Sequence, residues 1–235
     1  MYQDQLNNIG IIGGGAVGTA TAVYLQNKGH DIKLYRRESK ETDFYLRVMR
    51  NNRGIKIQND NHVQGFDSEY SQIHVTTELD ELKDSDLILV CTTYKSHKEM
   101  GLAIHAFNLK DNCKVIAFPG KLGSSYLLGD SGEISSSVFG VKQKVDYQEE
   151  SLSVIIGNRK LGLEFAYKDR HIDENEEMVA TLNSLFGDNS FVNGYHPLRV
   201  GLQNHDYSIN VASMCDNRDY LLEHGELGSE LLNAC

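Results

Sequence analysis

A glycine-rich turn close to the start of the sequence constrains the fold more than any other feature. An apolar run at residues 9–12 breaks into glycines and then resumes as small residues of helical character. In the pattern G-x-G-x-x-G, the first glycine permits a tight turn, the second lets a pyrophosphate approach the backbone, and the third lets a helix pack closely on a strand. Free N–H groups and the positive end of the helix dipole then face the anion. The predicted phosphate-binding residues are Gly13, Gly14, Gly15, Ala16, Val17 and Gly18.

The sequence around the turn predicts a complete β-α-β unit. Residues 9–12 form a strand-like run, residues 19–28 have helical character, and Gly29 stands where a helix C-cap belongs. A second strand at residues 31–35 gives the unit about 30 residues, as expected of a dinucleotide-binding fold. The alternative is a glycine turn in another kind of α/β protein, which the flanking elements disfavour.

The residues after the second strand indicate which cofactor the turn would bind. An acidic residue there hydrogen-bonds the ribose 2′-hydroxyl of NAD, whereas arginine accommodates the 2′-phosphate of NADP. The sequence has Arg36 and Arg37, followed by Glu38. Two planar guanidinium groups suit a phosphate monoester, and one can also stack on the adenine. NADP is the predicted cofactor, and NAD stays open as the alternative because an acidic side chain is close by.

Composition and charge argue against several classes of function. The chain has 235 residues, 40% of them hydrophobic, and a formal charge of −10. Nucleic acid and anionic membranes are disfavoured as partners, because extended phosphate contacts need a basic surface. No apolar run approaches the ~20 residues of a membrane span, and residues 1–4 do not resemble a signal peptide. We therefore expect a cytoplasmic protein without nucleic-acid or membrane partners, and the histidine and cysteine spacing predicts no metal site.

Alternation of strands and helices predicts the fold class. Further strands and helices are expected at residues 39–50, 73–76, 86–91, 98–107 and 114–118. This order predicts an α/β fold with a Rossmann doubly wound parallel sheet, followed by a short, mainly helical C-terminal part. The predicted domains are residues 1–145, which bind the dinucleotide and include a sheet extension, and residues 146–235, with extended segments and a truncated helical substrate or dimerisation domain.

The ends of two predicted strands add candidate site residues. Thr92 and Thr93 follow the apolar run of the fourth strand, at the carboxyl edge where open α/β sheets bind ligands, and are candidate cofactor-binding residues. A second glycine-rich loop contains Lys121, which could meet a substrate carboxylate or be an ordinary exposed lysine. Residues 51–66 are expected to form a hairpin or loop. Later extended segments and a helix are expected at residues 133–144, 152–156, 161–167 and 175–186.

Several segments across nearly the whole chain share their order and spacing with a known family. They are the glycine turn, the loop that ends in His97, and residues 118–123, 133–142 and 202–210. Together they resemble the octopine/opine dehydrogenase family, whose relatives include ketopantoate reductase and 6-phosphogluconate-dehydrogenase-like enzymes. The resemblance implies a Rossmann domain followed by a helical substrate domain. It also implies reduction, by NADH or NADPH, of a 2-oxo acid or of the imine that such an acid forms with an amino acid.

The resemblance further implies candidate catalytic residues. The family segment matching residues 202–210 carries an asparagine, here Asn204, and a catalytic acid/base histidine, whose position Asn210 occupies. An amide donates a hydrogen bond but does not titrate as imidazole does. His205 would point about 140° away from Asn210 on a helix and is interpreted as a surface or core histidine. His97 matches a family histidine that could touch nicotinamide or substrate; alternatively it is a helix N-terminal histidine bonded to backbone.

Two functions remain open on this basis. One is an oxidoreductase acting on a small-molecule 2-oxo acid or amino-acid substrate. The other is a non-catalytic NADP(H)-binding protein or subunit, which Asn210 and a helical domain shorter than the family's favour. A shortened helical domain would expose Leu227, Leu231 and Leu232, so a homodimer that covers them is expected.

Overall fold

The computed structural model describes residues 6–51, 54–59, 61–168 and 172–203. The strands are β1 (Asn8–Ile12), β2 (Asp31–Tyr35), β3 (Ile55–Gln58), β4 (Tyr70–Ser71), β5 (His74–Thr76), β6 (Leu87–Val90), β7 (Lys114–Ala117), β8 (Gly132–Ile134), β9 (Phe139–Asp146), β10 (Ser151–Arg159), β11 (Leu163–Tyr167) and β12 (Phe191–Asn193). The α-helices are α1 (Ala16–Asn27), α2 (Lys40–Asn51), α3 (His97–Ala106), α4 (Ser124–Leu128), α5 (Ile172–Phe186) and α6 (Pro197–Leu202). Short 3₁₀ turns lie at Leu79–Leu82 and Tyr94–Ser96.

An eight-stranded sheet in the order β12-β11-β8-β7-β6-β1-β2-β5 forms the centre of the fold. The strands from β8 to β5 are parallel, while β11 pairs antiparallel with β8. The chain builds β2 and β5 on one side of β1, then β6, β7 and β8 on the other. The strand order thus reverses between β1 and β6, which is where doubly wound sheets bind ligands. This topology confirms the predicted fold class.

The opening β-α-β unit matches the prediction closely. β1 and β2 pair in parallel with Ile9 opposite Ile32. α1 begins earlier than predicted, because the Thr19 N–H already donates to the Gly15 carbonyl at 2.9 Å. Gly29 follows the helix with a φ of +93°, the left-handed conformation that glycine adopts readily at this position.

The position of β6 in the sheet explains why its sequence is continuously apolar. All four of its residues are buried. Leu87 and Leu89 belong to the larger apolar cluster, whereas Ile88 and Val90 belong to a second cluster on the opposite face of the sheet. A parallel strand covered on both faces has no solvent side, so apolar and polar residues do not alternate along it.

A second sheet, in the order β4-β3-β10-β9, was not predicted as a unit. β9 and β10 form an antiparallel hairpin, and β3 pairs in parallel with β10 through Ile57 and Val154. The hairpin or loop expected at residues 51–66 thus contains a strand whose main partner is far away in the sequence. The second sheet packs on α1, where the rings of Tyr24 and Phe139 lie 4.9 Å apart. The division after residue 145 stays a prediction and falls within β9.

The last described elements confirm the short helical C-terminal part. α5, which includes the helix expected at residues 175–186, buries the apolar side chains of Met178, Leu182 and Leu185 against the main core. α6 begins at Pro197, after His196 accepts a hydrogen bond from the Leu198 N–H at 3.2 Å. Among the helices of the described residues, none combines the length and apolar character needed to cross a membrane.

Candidate functional site

A cavity of about 390 Å³ opens at the carboxyl ends of β1 and β2. Its lining comes from the glycine turn, the end of β2, the start of α2, the loop after β6, α3 and one residue of the second sheet. The lining residues used below are Gly13, Gly14, Gly15, Arg36, Arg37, Glu41, Thr42, Thr92 and Gln143. The cavity lies at the reversal of strand order, where the glycine turn predicts an anion site.

The three motif glycines are required for different reasons. Gly13 has a φ of +108° and donates its N–H to the Tyr35 carbonyl at 3.0 Å, so it makes the turn. A Cβ on Gly18 would lie 1.9 Å from the Gly13 carbonyl oxygen, so this glycine permits close packing of the helix. Gly15 has an ordinary φ of −74°, and a Cβ there would meet no atom within 4 Å. Space in the protein therefore does not explain the second glycine, whereas a ligand close to the backbone would.

The adjacent arginines occupy different environments. Arg36 is half-buried, lies with its guanidinium carbon 3.6 Å from the ring centre of Tyr45, and donates from Nη1 to the Gly14 carbonyl. Its Nε is 3.4 Å from the Thr42 hydroxyl. Burial lowers the pKa of Arg36 from its ordinary value, although an arginine stays charged at neutral pH. Arg37 keeps 70% of its side chain exposed and forms a 3.6 Å ion pair with Glu99.

The carbonyl of Gly14 is the centre of a buried hydrogen-bond network. It accepts from the Tyr45 hydroxyl at 2.7 Å, from the Thr19 hydroxyl at 3.2 Å and from Arg36. Gln143 of β9 donates to the Thr19 hydroxyl at 3.1 Å and to the Tyr45 hydroxyl. Sequence reasoning missed Tyr45 and Gln143, because neither belongs to a motif and Gln143 is far from the turn along the chain.

The two threonines after β6 differ in position. Thr92 lines the cavity, and its buried hydroxyl has no hydrogen-bond partner among the described residues. Thr93 is exposed and precedes the 3₁₀ turn, with its hydroxyl 3.5 Å from that of Ser96. Of the two threonines, Thr92 therefore lines the cavity and Thr93 does not.

His97 is fully buried at the start of α3. Its Nε2 lies 3.2 Å from the Thr92 carbonyl, which can only accept, so Nε2 carries the proton. Burial lowers the pKa of His97, and the charge of Lys121 acts in the same direction. The imidazole is therefore neutral at neutral pH. Its Nδ1 is buried and has no hydrogen-bond partner within the described part of the chain.

A second titratable group lies beyond the loop after β7. Glu133 of β8 is fully buried, and its Oε2 accepts from the Ser125 N–H at 2.8 Å. Its Oε1 has no hydrogen-bond partner among the residues described, and the hydroxyl of Ser125 has none either. Burial raises the pKa of Glu133 to about 7. Sequence reasoning placed Glu133 in an extended segment, and burial of a single carboxylate leaves no sequence signal.

The remaining predicted catalytic residues, Asn204 and Asn210, lie outside the described residues, as does His205. Lys121 is half-buried, and its N–H donates to the Ser124 hydroxyl at 2.7 Å. Within the described ranges, no group of three histidine, cysteine, aspartate or glutamate side chains is arranged to hold a metal ion.

Comparison with protein families gave a match over the first half of the chain. Residues 9–118 match the family model described as ketopantoate reductase PanE/ApbA. No curated protein sequence matches significantly. The matched segment runs from β1 to the residue after β7 and so contains the glycine turn, Arg36 and the strand ends around the cavity.

Solved structures share the fold over most of this chain. Octopine dehydrogenase with NADH and pyruvate has a TM-score of 0.68 at 11% identity, covering 91% of this chain and 56% of that one. Yersinopine dehydrogenase with NADP⁺ has a TM-score of 0.63 at 16% identity, covering 86% and 50%. The 2-dehydropantoate 2-reductase of Porphyromonas gingivalis W83 has a TM-score of 0.60 at 13% identity, covering 98% and 87%.

These matches confirm the resemblance predicted from the sequence. At such identities they show a shared fold. This chain spans about half the length of the octopine and yersinopine dehydrogenase structures that it matches.

Proposed function

We propose that this chain binds a nicotinamide dinucleotide in the cavity beside the glycine turn, with NADP preferred and NAD as the alternative. The observation that carries the proposal is the open space at Gly15, where a side chain would enter the cavity without touching protein. That is the position at which the G-x-G-x-x-G pattern brings a pyrophosphate against the backbone. When bound, such a cofactor supplies the hydride, while the protein supplies binding, orientation and electrostatics.

The preference for NADP rests on the charges at the end of β2. Arg36 borders the cavity at the position where NAD-binding proteins carry an acid, and its held guanidinium offers donors suited to a phosphate. Glu38 is exposed and does not line the cavity. Glu41 does line the cavity, at the start of α2. NAD stays the alternative because a carboxylate there could accept a hydrogen bond from the ribose 2′-hydroxyl.

The proposed reaction is reduction of a small 2-oxo acid, or of its imine with an amino acid. Support comes from the match to the ketopantoate reductase family and from octopine dehydrogenase structures described with NADH together with pyruvate, L-arginine or agmatine. Within this proposal the candidate polar groups for substrate are Asn204, Asn210 and His97. The contact of His97 with backbone favours a role in shaping the loop after β6.

A second candidate is a non-catalytic NADP(H)-binding protein or subunit. The observation that favours it is Asn210, because an amide at the family's histidine position cannot transfer a proton. Both candidates share the cofactor site, so they differ only in turnover.

One experiment separates the two candidates. NADPH and NADH are titrated calorimetrically, and NADPH oxidation is then screened against 2-oxo acids with and without amino acids. The reductase proposal expects turnover, and the non-catalytic candidate expects tight NADPH binding without it. Failure to bind either dinucleotide would refute both.

Asn210→His tests the proton-transfer argument directly. If Asn210 limits turnover, the variant should gain up to about 10²–10⁴-fold in rate, with an apparent pKa near ~6.5 in its pH profile. Brisk turnover by the unmodified chain would instead assign the proton to another residue, and His97→Ala would then be compared.

A cytoplasmic homodimer completes the proposal. Leu198 and Leu202 of α6 are large apolar side chains that are exposed among the described residues, and a second copy of the chain could cover them. Light scattering during size-exclusion chromatography tests this: a mass of a single chain at micromolar concentration would contradict it.

A further inference from the structure

The hydrogen-bond network around Gly14 suggests a function for Tyr45, a side chain that does not line the cavity. Tyr45 is 2% exposed and is not part of the cavity wall, but it contacts two groups that are. Its hydroxyl donates to the Gly14 carbonyl, and its ring supports the Arg36 guanidinium. Burial raises the pKa of Tyr45, so its hydroxyl stays a donor across the physiological range.

Holding the Gly14 carbonyl also fixes the next amide. The peptide between Gly14 and Gly15 is trans, since the cis peptide of the described residues is at Phe118–Pro119. In a planar trans peptide the C=O and the following N–H point in opposite directions. Three donors hold the carbonyl on the buried side of the turn, so the Gly15 N–H points away from them. A peptide held in this way needs little reorganisation to receive an anion.

Tyr45 also determines where Arg36 lies. One face of the guanidinium rests on the phenol ring, and Nη1 is bound to the same carbonyl that Tyr45 holds. An arginine left free would lose side-chain entropy on binding a phosphate, whereas one already ordered loses less. Tyr45 is therefore the side chain that touches both the glycine turn and the arginine proposed to select NADP.

Gln143 connects the hydroxyls of Thr19 and Tyr45 to the second sheet. Its amide donates to the hydroxyls of Thr19 and Tyr45, and it comes from β9 of the second sheet. The two hydroxyl oxygens lie 3.0 Å apart, both accept from the Gln143 amide, and both are within hydrogen-bond distance of the Gly14 carbonyl.

We propose that Tyr45, oriented by Gln143, is a positioning residue that holds both the phosphate-binding peptide and Arg36. This inference rests on the proposed dinucleotide function. It assigns to the second sheet a part in cofactor affinity and in the choice between NADP and NAD, without any contact between Tyr45 and the cofactor.

Two substitutions at Tyr45 separate its two contacts. Tyr45→Phe keeps the ring beneath Arg36 and removes the hydroxyl, so both NADPH and NADH should bind about 3- to 10-fold more weakly, with their affinity ratio unchanged. Tyr45→Leu also removes the ring, so NADPH should lose about 3- to 10-fold more than NADH. Tyr195→Phe is the matched control, because it removes an exposed phenol hydroxyl beyond β12, at the far edge of the main sheet.

Calorimetric titration measures the affinity of each variant for NADPH and NADH, and circular dichroism checks that each variant is folded. Unchanged affinities in a folded Tyr45→Phe protein, when the unmodified chain binds NADPH, would overturn this inference and leave the proposed function standing. Absence of binding by the unmodified chain would overturn both. If Tyr45→Leu does not fold, Tyr45→Phe decides alone, because equal weakening of both dinucleotides supports the inference and no change refutes it.

Discussion

The carboxyl edge of the main sheet has two halves that differ in how far their buried polar groups are hydrogen-bonded. In the glycine-turn half, around β1 and β2, the Gly14 carbonyl accepts three hydrogen bonds and Arg36 is held in place. In the loop half, around β6, β7 and β8, four buried polar atoms have no hydrogen-bond partner among the described residues. They are Thr92 Oγ1, His97 Nδ1, Ser125 Oγ and Glu133 Oε1.

This difference suggests that the glycine-turn half serves cofactor binding and that the loop half has the groups able to take part in proton chemistry. A buried polar atom without a hydrogen bond costs about 1–3 kcal/mol, and such atoms in native proteins often mark sites with a chemical role. The glycine-turn half is preorganised, as an anion site should be. In the loop half the four buried polar atoms have no such partners among the described residues, and of the four residues Thr92 lines the cavity. We therefore expect substitutions in the first half to change cofactor binding and those in the second half to change pH behaviour.

The largest effect is expected from Gly15→Val in the glycine-turn half. The side chain would project into the cavity and displace the pyrophosphate, while the backbone conformation tolerates it. Dinucleotide affinity should fall about 100-fold or more, equivalent to at least about 2.7 kcal/mol. Because Gly15 is also the N-cap of α1 and valine caps a helix less well than glycine, the thermal midpoint should fall slightly while the protein stays folded.

Gly140→Val in β9 is the matched control, because the nearest atom to its Cβ would be 3.7 Å away. Calorimetry should find its NADPH affinity unchanged. Equal affinities for Gly15→Val and the unmodified chain would remove the evidence that the glycine turn binds the cofactor.

Glu133→Gln tests the loop half. Because the folded-state pKa is raised from 4.5 to about 7, the folded chain holds this proton more tightly than the unfolded chain. The resulting stabilisation is complete below pH ~4.5 and is lost as the pH rises through about 7, a loss on the order of 3 kcal/mol. Glutamine cannot ionise, so the variant should be the more stable protein at pH 8 and nearly equal at pH 4.5.

Urea unfolding across this pH range measures the effect, with the exposed Glu149→Gln as control. Parallel stability profiles for Glu133→Gln and the unmodified chain would mean that the carboxylate does not change its proton affinity on folding. Glu133 would then no longer support a difference in pH behaviour between the two halves.

Arg36→Asp sharpens the comparison within the glycine-turn half. Loss of a charge-assisted contact and repulsion of the 2′-phosphate should weaken NADPH by about 1.5–3 kcal/mol and spare NADH. Arg37→Asp makes the same charge change at an exposed residue, where ion pairs contribute less than about 1 kcal/mol. Tighter binding of NADH than NADPH by the unmodified chain would contradict the assignment, and equal effects of the two variants would contradict the distinction between the arginines.

Local patterns in the sequence predicted much of the fold. The glycine spacing, the apolar runs and the cap at Gly29 each act within a few residues, so β1, α1, β2 and β6 were predicted close to their observed bounds. The second sheet was not, because the partner of β3 is β10, which lies far away in the sequence. Pairing between distant strands leaves no periodic signal in either one.

By itself the sequence determined the type of site: a glycine turn at the start of a helix, with arginines at the end of the next strand. Only the tertiary structure decided which arginine is held in place, that the His97 ring contacts the backbone, and that burial raises the pKa of Glu133 to about 7. Gln143 reaches Thr19 across 124 positions of sequence. The physical reason is that glycine conformation and side-chain charge are local properties, whereas burial and hydrogen-bond partners depend on which distant segments meet.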